Sequence, residues 1–249
     1  MKEIEIFTIK VHPLRRSEFL SMIRSNLKNG IQTAQFGVNS ATVNEIVRNQ
    51  EYRRAICNAD LVNIDGMSVV WALRFLGFKV PERIATPDLA DEVIEMAEKE
   101  QFSVFLFGAK ETILTSCLKR LQETYPGLKI AGSQNGYYKS ESEHLIVDVI
   151  NDAKPEILLI GVSSPKKELF CEKYRHELNA KYILGDGGYF DILSGHTRRA
   201  PKWMQNAGME WFFRLIQEPR RMWKRYLIGI NKFLWLVIKE KVKKNRTPN

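Results

Sequence analysis

Three short segments carry residue types that could do chemistry. Asp65 precedes Gly66 directly after the apolar run 60–64 (DLVNI), which puts its carboxylate at a strand exit. A carboxylate there can take a proton from an attacking hydroxyl or hold a sugar hydroxyl. The competing reading is an ordinary turn-forming Asp-Gly pair. The segment 161–168 (GVSSPKKE) leaves a second apolar run and opens a helix, with Ser163 or Ser164 available as its cap and Pro165 suited to the first helical position. Lys166 and Lys167 then stand in the first turn, where the helix dipole disfavours cations by about 0.3–1 kcal/mol. An anion held by the terminal N–H groups and the two ammonium groups relieves that conflict, and a diphosphate has the right charge. Otherwise the lysines simply extend into water. The third segment, Gly185-Asp-Gly-Gly-Tyr-Phe-Asp191, is a glycine-rich strand exit with Phe190 where a dinucleotide fingerprint has its third glycine. Close backbone approach to a nucleotide and a tight structural turn both fit it.

Other chemistries lack their residues. The four histidines (His12, His144, His176, His196) have no ligand spacing, and no Asp-x-Asp pair marks a divalent-metal diphosphate site. Neither a Walker loop nor a Gly-x-Ser-x-Gly elbow occurs. No metal and no cofactor is expected.

These segments need a sheet edge to bring them together. Past residue 30, short apolar runs alternate with helical patterns, which predicts an α/β fold with a mostly parallel sheet. The clearest strands are 60–64, 103–107, 157–160 and 182–184, each running into a glycine: Gly66, Gly108, Gly161 and Gly185. Helical patterns cover 88–100 and 111–124. In such sheets ligands bind beyond the carboxyl ends of the strands, so the four glycine turns should line one edge.

Length and charge narrow the class. The chain has 249 residues, 44% of them hydrophobic, enough for a real core and too many for a disordered chain. Residues 198–249 hold 14 Lys/Arg against three acidic residues, a net +11, whereas residues 1–197 hold 24 against 26, a net −2. Four of the five tryptophans (Trp203, Trp211, Trp223, Trp235) lie in that basic tail. Cations interleaved with aromatics point to an anionic surface, lipid headgroups or nucleic acid. After Pro219, apolar residues at 223, 226, 227, 230, 233, 234, 237 and 238 step by three and four, predicting a helix with one apolar stripe, and an earlier helix is expected around 210–217. A long stripe suits a membrane or protein surface better than DNA; a second copy of the chain could also cover it, and the plainest alternative is a basic helix packed on the body. No stretch reaches the roughly 20 apolar residues of a membrane span. The start, MKEIEI, lacks the apolar run of a signal peptide and reads as a first strand. Cys57, Cys117 and Cys171 are odd in number and widely spaced, which fits a reducing cytosol.

Seven blocks together resemble one family: NADLVNIDGMSVVWA (58–72), PERIATPDL (81–89), VFLFGAKE (104–111), PGLKIAGSQNGYY (126–138), LLIGVSSPKKE (158–168), GDGGYFDILSGHTRRAPKWMQ (185–205) and GMEWFFRLIQEPRR (208–221). Over residues 30 to 235 the chain is similar to the WecG/TagA/CpsF family, glycosyltransferase family 26. The resemblance implies an inverting, metal-independent transfer of sugar from a nucleotide-diphosphate donor, UDP-linked above all, to a polyprenyl-diphosphate-linked sugar. It implies work at the inner face of the cytoplasmic membrane, in cell-surface polysaccharide synthesis. Asp65 matches the family's proposed base, and Arg83 matches an arginine that contacts substrate phosphate or sugar. Arg214 and Arg221, with Lys224 or Arg225 as a third, match arginines that close over the donor diphosphate. Asn39, Asp88, Gly108, Ser164, Lys166, Lys167, Glu168, Gly187 and Asp191 complete the expected substrate-binding set.

Three departures stand out. Where the family often has Thr-x-Asn, this chain reads Gly37-Val-Asn39; Lys167 replaces a glutamine; and Thr86-Pro87 stands where a glycine and a small residue are common. The sugar specificity of the best-known members is therefore not expected to transfer. The expectation is a Rossmann-like, mostly parallel sheet flanked by helices (1–197) with a basic amphipathic helical appendage (198–249) for membrane association and closure of the site. A nucleotide-dependent oxidoreductase and a basic nucleic-acid-binding protein are the rival readings.

Overall fold

The apolar runs after residue 30 are short, rich in β-branched and aromatic residues and mostly buried, as a sheet covered on both faces demands. The computed structural model describes residues 3–246, apart from the side chains at 221, 245 and 246. The expected first strand is one arm of a small antiparallel hairpin, β1 (Ile4–Ile6) and β2 (Ile9–Val11), and takes no part in the main sheet. Phe7 and Thr8 turn it with positive φ at both positions, a conformation that side chains of this kind rarely announce in sequence.

Six strands form one parallel sheet: β3 (Thr33–Val38), β4 (Leu61–Ile64), β5 (Ser103–Gly108), β6 (Lys129–Gln134), β7 (Ile157–Gly161) and β8 (Tyr182–Gly185), in the order β4-β3-β8-β7-β5-β6. Alternate residues of each central strand face opposite layers. One layer takes Leu158 and Ile160 of β7 with α2 (Ser40–Arg48), α3 (Gln50–Cys57), α4 (Met67–Phe75), α7 (Glu143–Asp152) and α8 (Lys166–Tyr174). The other takes Ile157 and Leu159 with α1 (Arg16–Lys28), α5 (Thr86–Glu100), α6 (Glu111–Thr124) and α9 (Tyr189–Leu193). β3 and β8 are neighbours, yet the chain leaves β3 for β4 on one side and reaches β8 from β7 on the other. That reversal opens a crevice beyond their carboxyl ends.

The tail continues as α10 (Lys202–Asn206), α11 (Glu210–Gln217) and α12 (Pro219–Trp223), then a π-helical turn (Lys224–Ile228) that runs into α13 (Gly229–Arg246). The single stripe expected there divides into two. Met222, Phe233 and Val237 are buried, with Phe233 packed on Phe7 at 5.9 Å between ring centroids, while Trp223, Leu227, Leu234, Trp235 and Ile238 are exposed. The split runs along α13 itself: Phe233 and Val237, one turn apart, form the row that meets the core, while Leu234 and Ile238, one residue further round the helix, form a row that does not.

Candidate active site

Asp65 is the first residue past β4, and its N–H donates to Val38 O at 3.0 Å, tying the exits of β4 and β3 together. Its carboxylate is held from two sides. Thr86 N–H donates to Oδ1 at 2.9 Å, and Asn39 Nδ2 donates to Oδ2 at 3.4 Å. Asn39 also caps α2, accepting from the N–H groups of Ala41 and Thr42. Arg83 Nε donates to Asp65 O at 2.5 Å, and Arg83 Nη2 lies 2.7 Å from Glu210 Oε2. The other Glu210 oxygen is 2.9 Å from Arg199 Nε, and Arg199 Nη1 is 3.0 Å from Asp88 Oδ1. Asp88, expected to bind substrate, is thus engaged with Arg199.

A cavity of about 640 Å³ lies over this edge. The body lines it with Asn39, Asp65, Arg83, Ser164, Lys167 and Gly187, and the tail with Arg214 and Arg225. A second cavity of about 1280 Å³ adjoins it across Ser163 and Gly187, and there Lys166 and Asp191 are found. Eight expected residues are thereby gathered around the first cavity and two more around the second. Asp88, Gly108 and Glu168 line neither, and the side chain of Arg221 falls outside the described residues. Gly108 has a structural reason to be glycine. Its φ is +136°, and a Cβ would come 2.5 Å from the backbone of Gly161, so β5 and β7 could not leave the sheet side by side.

The lysine segment differs from both of its sequence readings. Neither serine caps α8, whose N-cap is Pro165. Lys167 is only 6% exposed and Glu168 2%. The Lys167 ammonium bonds Ser164 Oγ and Glu168 Oε1, which also accepts from Tyr52 OH at 3.2 Å. Lys167 neither extends into water nor offers a spare charge to an anion; Glu168 neutralises it. Lys166 sits 3.9 Å from the centroid of the Tyr138 ring.

Sequence reasoning missed Asp186, read there only as a spacer between glycines. It lines the first cavity, accepts from Gly188 N–H at 2.9 Å, and its carboxyl is pushed up to about 6. Burial is the main cause and the charge of Asp65 the second; Gly188 N–H, Lys167 and Arg214 partly offset them. Glu210 was also missed, although it lay within a recognised block.

The electrostatics of the first cavity are now plain. Arg83 is paired with the half-buried Glu210 and Lys167 with the buried Glu168, whereas Arg214 and Arg225 form no ion pair among the described residues. Arg214 lies against the glycine loop: a Cβ on Gly188 would come 3.0 Å from its Nη2. The arrangement offers the held carboxylate of Asp65 and two guanidiniums without an ion pair, Arg214 and Arg225, around one cavity that Asp186 and Glu210 also line. It suits displacement of an anionic leaving group by a hydroxyl nucleophile.

Comparison with known proteins agrees. The Glycosyl transferase WecG/TagA/CpsF family matches residues 4–247. The chain is 33% identical over 198 residues to the N-acetylglucosaminyldiphosphoundecaprenol N-acetyl-beta-D-mannosaminyltransferase of Bacillus subtilis, covering 80% of this chain and 76% of the relative. It is 32% identical over 195 residues to the Bacillus spizizenii protein of the same name, covering 78% and 74%. The oxidoreductase and nucleic-acid readings give way: this chain is a glycosyltransferase and belongs to the WecG/TagA/CpsF family.

Proposed function

We propose that the chain transfers a sugar, with inversion, from a UDP-sugar to a polyprenyl-diphosphate-linked sugar at the inner face of the cytoplasmic membrane. One observation carries the reading: Asp65 and the unpaired Arg214 and Arg225 line the same cavity. Asp65 takes the proton of the acceptor hydroxyl as its oxygen bonds to the anomeric carbon. The bond from that carbon to the diphosphate oxygen breaks on the opposite face, and the charge developing on the diphosphate is met by Arg214 and Arg225. Binding the diphosphate beside Arg214 and the glycine loop lets the nucleotide extend past Gly187 into the second cavity.

The acceptor side is apolar. Met67, Trp71, Trp211, Leu227 and Ile230 line the first cavity too, a surface suited to the start of a prenyl chain. Exposed Trp223, Leu227, Leu234, Trp235 and Ile238 extend that surface outward, with Lys224 over Trp223 and Lys239 over Trp235. Aromatics and cations arranged so bind an anionic lipid surface. Among the described residues no helix is long and apolar enough to cross a membrane; the attachment in this reading is peripheral. The names of the Bacillus relatives specify N-acetylmannosamine transfer, but Gly37, Thr86 and Lys167 alter the cavity wall, and the donor sugar is left open. A panel of UDP- and GDP-sugars against polyprenyl-diphosphate sugars, with product analysis, tests the reading. Transfer from a UDP-sugar with inverted anomeric configuration supports it, and absence of any transfer overturns it.

A further inference from the structure

Gly37 and Thr86 face each other in the cavity wall beside Asp65. A Cβ on Gly37 would overlap Thr86 Oγ1 and come within 3.0 Å of Asp65 Cβ and 3.3 Å of Asn63 Nδ2. The Gly37 backbone has no positive φ, so its conformation does not demand glycine. Its neighbours do. The volume a residue-37 side chain would fill is already taken by the Thr86 hydroxyl.

Thr86 is 3% exposed and firmly anchored. Its Oγ1 accepts from Asn63 Nδ2 at 3.0 Å, and the same amide nitrogen donates to Ile84 O at 2.8 Å. Asn63 Oδ1 accepts from Gln35 Nε2 at 3.1 Å, and Gln35 Oε1 accepts from Tyr182 OH at 2.6 Å. Buried polar side chains on three adjacent strands, β8, β3 and β4, therefore form one line that ends on Thr86. From there the Thr86 N–H reaches Asp65 Oδ1 at 2.9 Å. A buried network with every member paired fixes geometry rather than merely tolerating burial.

We propose that Thr86 is the residue that positions Asp65, and that Gly37 is its obligate counterpart, leaving the space in which the Thr86 hydroxyl sits. The proposal rests on the transferase reading for its kinetic half only.

The test is a cycle in the full chain: Thr86→Ser, Thr86→Gly, Gly37→Thr and the double variant Gly37→Thr/Thr86→Gly, each measured for kcat, KM and Tm. Thr86→Ser keeps kcat close to that of the parent. Thr86→Gly keeps the N–H that holds Asp65 but loses the hydroxyl that anchors residue 86 to Asn63, and it lowers kcat by roughly tenfold with KM little changed, about the factor of one lost hydrogen bond. Gly37→Thr alone lowers both Tm and kcat, and the double variant recovers most of both. Parental kcat in Thr86→Gly, or additive losses in the double variant, overturns the proposal. If the parent transfers no sugar from any donor in the panel, the transferase reading falls, and the Tm cycle alone decides the pair: recovery upholds it and additivity refutes it.

Discussion

Glu210 forms an ion pair with Arg83 through one carboxylate oxygen at 2.7 Å and with Arg199 through the other at 2.9 Å. The first residue of α11 thus joins the basic tail to the arginine that grips the Asp65 carbonyl. Glu210, Arg83 and Arg199 are 14%, 18% and 17% exposed, so water screens them little. The position of α11 and the placement of Asp65 are mechanically linked.

Replacing Glu210 with Gln leaves the partly buried Arg83 without a countercharge and Arg199 with Asp88 alone. Stability should fall by about 1–3 kcal/mol, and kcat by roughly tenfold or more as Arg83 loosens its hold on Asp65. Melting curves and single-substrate kinetics measure both. Parental values for both would make the contact incidental.

Asp65→Asn keeps an oxygen to accept from Thr86 N–H but removes the base. Transfer should drop by about 10²–10⁴-fold, the range general-base groups contribute, with little change in Tm. A turnover near that of the parent would move the base elsewhere.

Lys167 now reads as the buried countercharge of Glu168 rather than as a phosphate ligand. Lys167→Met strands Glu168 in the core and should cost about 3–5 kcal/mol. The double variant Lys167→Met/Glu168→Leu should recover much of that loss, because replacing both charges removes the desolvation problem. Denaturant titration of the single and double variants separates this from an anion-binding role, for which the double variant would recover nothing.

The parts legible in sequence were those whose physics is local. Apolar runs ending in glycine located β4, β5, β7 and β8 and the sheet edge where their carboxyl ends lie, because a covered parallel sheet leaves that pattern in a single strand. The place of Asp65 at the exit of β4 was legible for the same reason. Pairings between distant residues were not: nothing local says that Glu210 meets Arg83, that Asp88 is taken up by Arg199, or that Lys167 is buried by Tyr52 and Glu168. The two-faced tail was hidden because Phe233 and Leu234, or Val237 and Ile238, are equally apolar, and only packing against Phe7 and the core decides which row is buried.

Asp186 gives a pH prediction with a definite sign. Its carboxyl is raised to about 6 in the fold from an ordinary value near 3.8, so the native state binds its proton more tightly than the unfolded chain does. The stability this group contributes is complete below pH ~4 and is lost as pH rises through about 6. Asp186→Asn cannot ionise. Relative to the parent it should gain stability between pH 4 and pH 7, by an amount on the order of 1–3 kcal/mol. Melting curves across that range check it, and a difference that stays flat with pH would show that Asp186 is ordinary.

The two faces of α13 make opposite predictions. Phe233 is 1% exposed against Phe7, so Phe233→Ala should destabilise by about 3–5 kcal/mol, the loss of a well-packed aromatic. Trp235 is 61% exposed, and with Leu234 and Ile238 it packs on nothing the fold requires. Replacing those three with Ser should leave Tm within ~2 °C. If the outer face lies in lipid, the same variant should lose more than about tenfold in sedimentation with anionic vesicles. Unchanged sedimentation would remove the membrane from the reading. A variant that still sediments but no longer self-associates in light scattering would assign the face to a second copy of the chain. Removing the whole of 198–249 is a poorer test, because it also strips Phe233 and Val237 from the core and confuses loss of membrane contact with loss of the fold.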